Sequence, residues 1–144
     1  MENTSPVFCL VLLAMNIPFN AVADNTPEKT CGGTLKEANG LVSNMFYDPP
    51  NNWCTWVIEA VPSGFVELRF NYVKMGNPPT CAFGSITIYN GFRDDANILG
   101  RICKNTDKVF YSSSNIMILE YFSDDLNYGD SFEAQYYTHV AEAR

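Results

Sequence analysis

Four cysteines, Cys31, Cys54, Cys81 and Cys103, stand at intervals of 23, 27 and 22 residues behind an apolar leader. An even set in a small exported chain reads as two disulfides formed in an oxidising compartment. The fold must therefore bring four distant points of the chain together in pairs. Three pairings are open, and spacing alone does not choose between them. A zinc site is a poor alternative. The gaps exceed 20 residues and the single histidine is His139, whereas thiolate zinc sites are built from close pairs.

The leader places the chain outside the cell. Val7 to Ile17 form a short, largely apolar run, followed by Pro18 and by Ala21-Val22-Ala23. This is the pattern of a secretory signal peptide cleaved after Ala23. Its one atypical feature is Glu2 in place of a basic residue. The fifth cysteine, Cys9, leaves with it. Removing 23 of the 144 residues leaves 121, with nine basic and fifteen acidic side chains and a formal charge of -6. A chain that is 47% hydrophobic and 14% aromatic is too apolar for disorder. No stretch reaches the roughly 18 apolar residues that span a bilayer. The acidic balance argues against phosphate-directed binding of nucleic acid.

Hydrophobic patterning reads as all-β. Val66, Leu68, Phe70 and Tyr72 alternate with Glu67, Arg69 and Asn71. This period of two marks a half-buried strand. Trp56 and Ile58, Ile86 and Ile88, and Phe132, Ala134 and Tyr136 repeat the pattern. Residues 115–122 are apolar on both faces, which predicts a central strand. Residues 98–102 and 109–111 are shorter candidates. Turn signals separate them at Pro62-Ser63-Gly64, Asn90-Gly91 and Asn127-Tyr128-Gly129-Asp130. Seven to ten such strands without a helical period imply a β-sandwich or barrel. Residues 24–30 and 139–144 read as loose ends.

These residues carry a resemblance. Cys31-Gly32-Gly33-Thr34-Leu35, Tyr47, Asn52-Trp53-Cys54-Thr55-Trp56-Val57-Ile58, Leu99-Gly100-Arg101-Ile102-Cys103 and Leu119-Glu120-Tyr121-Phe122-Ser123-Asp124 occur in the order seen in CUB domains. The chain resembles that family over residues 31–138. The resemblance implies an all-β, two-sheet antiparallel β-sandwich of jelly-roll type. It also implies bridges Cys31–Cys54 and Cys81–Cys103. The division expected is a signal peptide at 1–23, an extension at 24–30, the CUB domain at 31–138 and a tail at 139–144. Cys31-Gly32-Gly33 and Tyr111-Ser112-Ser113-Ser114-Asn115 are similar to the spermadhesins, single secreted CUB domains of seminal plasma.

Many CUB domains hold Ca²⁺ through a Glu, an Asp just after the third cysteine and an Asp in the last loop, since a hard cation needs several oxygens. This sequence departs from that set. Gly84 stands where the Asp is expected, and Lys74 lies in the stretch before Cys81, which has no acid. Only Asp124 matches. The resemblance therefore implies no metal and no cofactor here. Asp124, Asp125 and Asp130 are candidates for a basic partner side chain, or simply turn-forming residues; Asp94 and Asp95 invite the same comparison. Phe92 and Tyr128, with Tyr47, Tyr89 and Tyr137, are expected to be partly exposed and able to stack on sugars or anchor a partner. Ser112-Ser113-Ser114 is a hydroxyl run with no base nearby, so no nucleophile is read there. The expected function is a secreted, non-enzymatic module contacting an extracellular protein or glycan. Association with itself or with other secreted proteins is also expected. A role at the gamete surface or in seminal fluid is what the spermadhesin resemblance implies. The alternative is a CUB protein-interaction module of another extracellular process, calcium-dependent or part of a mosaic protein.

Overall fold

Along Trp53–Glu59 every second residue, Cys54, Trp56 and Ile58, is buried. Strand pleating sends that set to one side, and it must meet a second apolar layer. The computed structural model describes residues 31–46, 53–75, 80–124 and 129–141. Among these, nine strands form two stacked sheets. They are β1 (Gly32–Leu35), β2 (Asn39–Ser43), β3 (Trp53–Glu59), β4 (Phe65–Lys74) and β5 (Gly84–Asn90). Then follow β6 (Ile98–Ile102), β7 (Val109–Tyr111), β8 (Ile116–Ser123) and β9 (Ser131–His139). One sheet runs β1-β3-β8-β5-β6 and the other β2-β9-β4-β7. The only helical pieces described are 3-10 turns at Asn44–Phe46 and Asp95–Asn97.

The doubly apolar run is the centre of the five-stranded sheet, with β3 on one side of β8 and β5 on the other. The sandwich differs from a purely antiparallel one at its edge, where β1 pairs parallel to β3. Gly32 makes that approach possible. Its φ is +96°, and an added Cβ would run into the backbone of Thr55. In β4 a bulge between Phe70 and Tyr72 shifts the register. Phe70 packs against the core from one side of it and Val73 is buried on the other.

Phe132 of β9 crosses between the sheets. Its ring lies 5.7 Å from Trp56 and 5.5 Å from Tyr121 of the opposite sheet, and 6.4 Å from Phe70 of its own. Disulfides join Cys31 to Cys54 and Cys81 to Cys103, the sequential pairing.

Two expectations need correction. The tail does not begin at 139: His139 closes β9, opposite Phe65 of β4. Its ring stacks on Phe65 at 4.7 Å and its Nε2 lies 3.0 Å from Glu67 Oε1. Those contacts favour one more rung of sheet over fraying. Tyr89 is not partly exposed but buried. Its ring sits in a pocket of charge, with its hydroxyl 3.5 Å from Glu120 Oε1, and Arg93 reaching back to Glu120 Oε2 at 3.1 Å.

The core predicts its own weak points. Phe132→Ala removes a fully buried ring with partners in both sheets and is expected to cost about 3–5 kcal/mol. Cys54→Ser is expected to cost about 2–5 kcal/mol and to lower the secreted yield. Denaturant unfolding of the purified variants, with the yield from culture medium, checks both.

Candidate functional site

The expected cation position lies at the end of the sandwich where β8 finishes and β5 begins. Gly84 opens β5 and pairs with Ser123. Asp124 follows β8, and its N–H donates to the Phe83 carbonyl at 2.7 Å. This is ladder-like pairing, which carries the β5–β8 register one step beyond the strand ends. Asp130 enters from the start of β9. Ser123 Oγ donates to Asp130 Oδ2 at 2.8 Å, which turns that carboxylate toward Gly84. A Cβ built on Gly84 would meet Asp130 Oδ2 at 2.9 Å, and Met75 Cε and the Phe122 carbonyl at 3.3 Å. The space for a side chain at 84 is thus already lined by a hydrogen-bonded carboxylate. An aspartate placed there would press one carboxylate on another.

A buried amide completes this end. Asn44 Nδ2 donates to Tyr121 Oη at 3.2 Å and to the Asp130 carbonyl at 2.8 Å, while its Oδ1 accepts from the Phe132 N–H at 2.9 Å. One side chain of the first 3-10 turn therefore fixes the last strand of one sheet against the central strand of the other. Burial pushes the Tyr121 phenol above its ordinary value, so it stays neutral and hydrogen-bonded. Among the described residues, no group of three His, Cys, Asp or Glu side chains is placed to hold a metal ion. The donor set described does not fit the calcium site that the family pattern implies.

The remaining candidates are scattered. Lys74 ends β4, exposed, and bridges by backbone to Lys104. Phe92 is 78% exposed in the turn after β5. Asp94 caps the second 3-10 turn, its Oδ1 accepting from the Ala96 N–H at 3.0 Å, and Asp95 lies in that turn. Asp125, Tyr128 and Tyr47 lie outside the described residues. The hydroxyl run is structural. The Val66 N–H donates to Ser112 Oγ at 2.8 Å, and Ser112 Oγ donates to the Ser114 carbonyl at 2.6 Å. The Ser113 N–H donates to Asn90 Oδ1 at 2.8 Å.

A constellation that the sequence reading missed lies on the outer face of the four-stranded sheet. Glu67 of β4 has Tyr137 of β9 as its partner on one side and Tyr111 of β7 on the other. Tyr111 is 50% exposed and Tyr137 37%. Within this row Glu67 accepts from Arg69 Nε through Oε2 and faces His139 Nε2 at 3.0 Å through Oε1. The Arg69 guanidinium holds the Glu67 carboxyl below its ordinary range; burial opposes this and His139 adds to the lowering. Glu67 and Arg69 are neighbours but one, visible as a same-face pair from period two. Tyr111 and Tyr137 lie 44 and 70 residues beyond Glu67, and only sheet register brings them beside it.

With this geometry in view, comparison with known proteins is direct. The CUB domain family profile matches residues 31–136, and the chain belongs to the CUB family. It is similar to procollagen C-endopeptidase enhancer 2 of Mus musculus, 29% identical over 89% of this chain and 32% of the relative. Procollagen C-endopeptidase enhancer 1 of Homo sapiens is 30% identical over 78% of this chain and 26% of the relative. The chain thus spans about a third or less of these relatives. Among solved structures, the CUB2 domain of MASP-1 bound to Ca²⁺ superposes with a TM-score of 0.59 at 18% identity. That match covers 75% of this chain and 99% of that one. The extracellular region of zebrafish Gpr126/Adgrg6 gives 0.63 at 19%, over 78% of this chain and 15% of that one. These likenesses show the fold. CUB domains are extracellular protein-interaction modules and are generally non-catalytic. No helix among the described residues is long and apolar enough to cross a membrane.

Two measurements test this geometry. Asn44→Ala strips partners from the buried Phe132 N–H and Tyr121 hydroxyl and is expected to cost about 1–3 kcal/mol in denaturant unfolding. The ionised Glu67 is favoured by folding, so its contribution is full above the unfolded carboxylate value of about 4.3. It is lost as pH falls through the lower folded value. The stability advantage of the native chain over Glu67→Gln is therefore expected to shrink below about pH 4. Melting the two proteins in parallel from neutral pH to pH 3 would reveal it.

Proposed function

We propose that this chain is a secreted, non-enzymatic, spermadhesin-like binding module. It contacts glycans or glycoproteins at the gamete surface or in seminal fluid, and it does so without calcium. The observation that carries this reading is the crowding at Gly84. The Asp130 carboxylate, held by Ser123, lines the room that a ligating side chain at 84 would need. Hydrogen bonds from Asn44 tie Asp130 and Tyr121 together. The sequence motifs at Cys31 and at Tyr111–Asn115 support the spermadhesin likeness. Catalysis has no support in the chain: its single histidine is engaged with Glu67 and Phe65.

The second reading is a CUB interaction module of another extracellular process. Its support is the 29% and 30% identity to two procollagen C-endopeptidase enhancers.

A thermal melt in excess calcium and in chelator is the first test. An ion bound only to the folded state at about 100 times its Kd would add about 2.7 kcal/mol. The expected result is coincident melts. A rise of several degrees with calcium would overturn the calcium-free reading. Binding of the labelled chain to sperm and to somatic cells, before and after glycosidase treatment, tests the rest. Equal staining of both cell types, unchanged by the enzyme, would favour the second reading.

A further inference from the structure

The outer face of the four-stranded sheet has an unusual order of side chains. Two half-exposed tyrosine rings flank a charged centre. Protein-binding patches are generally arranged the other way, with an apolar core, few charges in it and a polar rim. Closing a protein surface over Glu67, Arg69 and His139 would strip water from all three, at a cost that imperfect pairing does not return. A ligand that brings its own hydroxyl groups offsets that cost by replacing the lost water with hydrogen bonds of its own. We infer that the row Tyr137–Glu67–Tyr111, with Arg69 and His139, is a binding site for a neutral glycan. This assignment rests on the glycan-contacting reading above and gives it a location.

The geometry suits that class. Tyr137 and Tyr111 stand on strands separated by β4, so their backbones are about 10 Å apart, two inter-strand spacings. A hexopyranose and its hydroxyls can span that gap. Tyrosine offers a flat apolar ring with a polar tip, which suits the C–H face of a sugar and the hydroxyl beside it. Between the rings the polar groups are held in place before any ligand arrives. Glu67 is fixed from both sides, by Arg69 and by His139 at 3.0 Å, and His139 is itself stacked on Phe65 at 4.7 Å. Preorganised groups lose little rotamer freedom on binding. Arg69 uses Nε for Glu67, and its side chain stays 53% exposed, so its terminal N–H groups are available as donors to sugar oxygens. The pairing of Glu67 with Arg69 balances charge locally, and the chain carries a formal -7. Both features favour a neutral sugar over a sulfated one.

The test is a printed array of neutral, sialylated and sulfated oligosaccharides, probed with the full secreted chain. The variants are Tyr111→Ala, Tyr137→Ala and, as a control on the other sheet, Trp53→Ala, whose ring is 54% exposed. All three side chains are partly exposed, and melts check that each variant folds. The expected result is binding to neutral glycans, weakened about tenfold by either tyrosine change and unaltered by Trp53→Ala. Tyr111→Phe, which keeps the ring, is expected to retain most of the affinity. Neutral-glycan binding that survives both tyrosine changes would overturn this site and leave the glycan reading standing. Binding confined to sialylated or sulfated probes would overturn the ligand class. No binding to any printed glycan would overturn the site and the glycan reading together.

Discussion

The two sheets of this sandwich are locked by one ring. Phe132 reaches from β9 into the opposite layer to touch Trp56 and Tyr121, while its own N–H is taken up by Asn44. Apolar burial and a backbone hydrogen bond thus converge on one residue. Burial of the ring favours stacking of the layers without fixing their relative position. The Asn44 bond is directional and sets where β9 begins. Asp130, near Phe132 in sequence and bonded to Asn44 through its carbonyl, is placed by the same contacts.

That dependence links the core to the loss of the family's cation pattern. An ion organises loops because its field gathers oxygens that otherwise repel. Here the described residues at this end meet through donors. Ser123 gives a hydroxyl to the Asp130 carboxylate, Asn44 gives an amide to the Asp130 carbonyl, and Asp124 gives its N–H to Phe83. A glycine at 84 leaves room for the Asp130 carboxylate, which a larger residue would have to displace. Hydrogen bonds of this kind are each modest in net effect. Removal is costliest at Asn44, Tyr121 and Ser123, which are buried.

The two outer faces are built differently. On the five-stranded sheet the charged centre is closed over, with Arg93 folded back onto Glu120 and Tyr89 beneath it. On the four-stranded sheet Glu67 and Arg69 stay open between Tyr111 and Tyr137. Both faces place a carboxylate beside a cation, but on the second the carboxylate has a tyrosine directly opposite it on each neighbouring strand. The turn after β5 contributes to the difference, because it carries Arg93 back onto Glu120 of its own sheet.

The alternation of Val66, Leu68 and Phe70, the doubly apolar run that became β8, and the set of four spaced cysteines pointed to a disulfide-linked all-β sandwich or barrel from sequence alone, and the family resemblance narrowed this to a sandwich. These signals are local, or are counts, and pleating converts them directly into faces. Strands β1 and β2 carried no such signal. Gly32-Gly33-Thr34-Leu35 and Asn39-Gly40-Leu41-Val42-Ser43 are glycine-bearing and weakly alternating, and they are strands because β3 and β9 offer free edges to pair with. The place of Gly84 in the cation pattern was legible, but not the Asp130 carboxylate beside it, 46 residues on. Likewise, Glu67 and Arg69 could be read as same-face neighbours, but their tyrosine flanks could not. Sequence fixes which face a side chain takes along its own strand. Which side chains become neighbours across strands depends on register and strand order, and those are settled only when the two apolar layers close on each other.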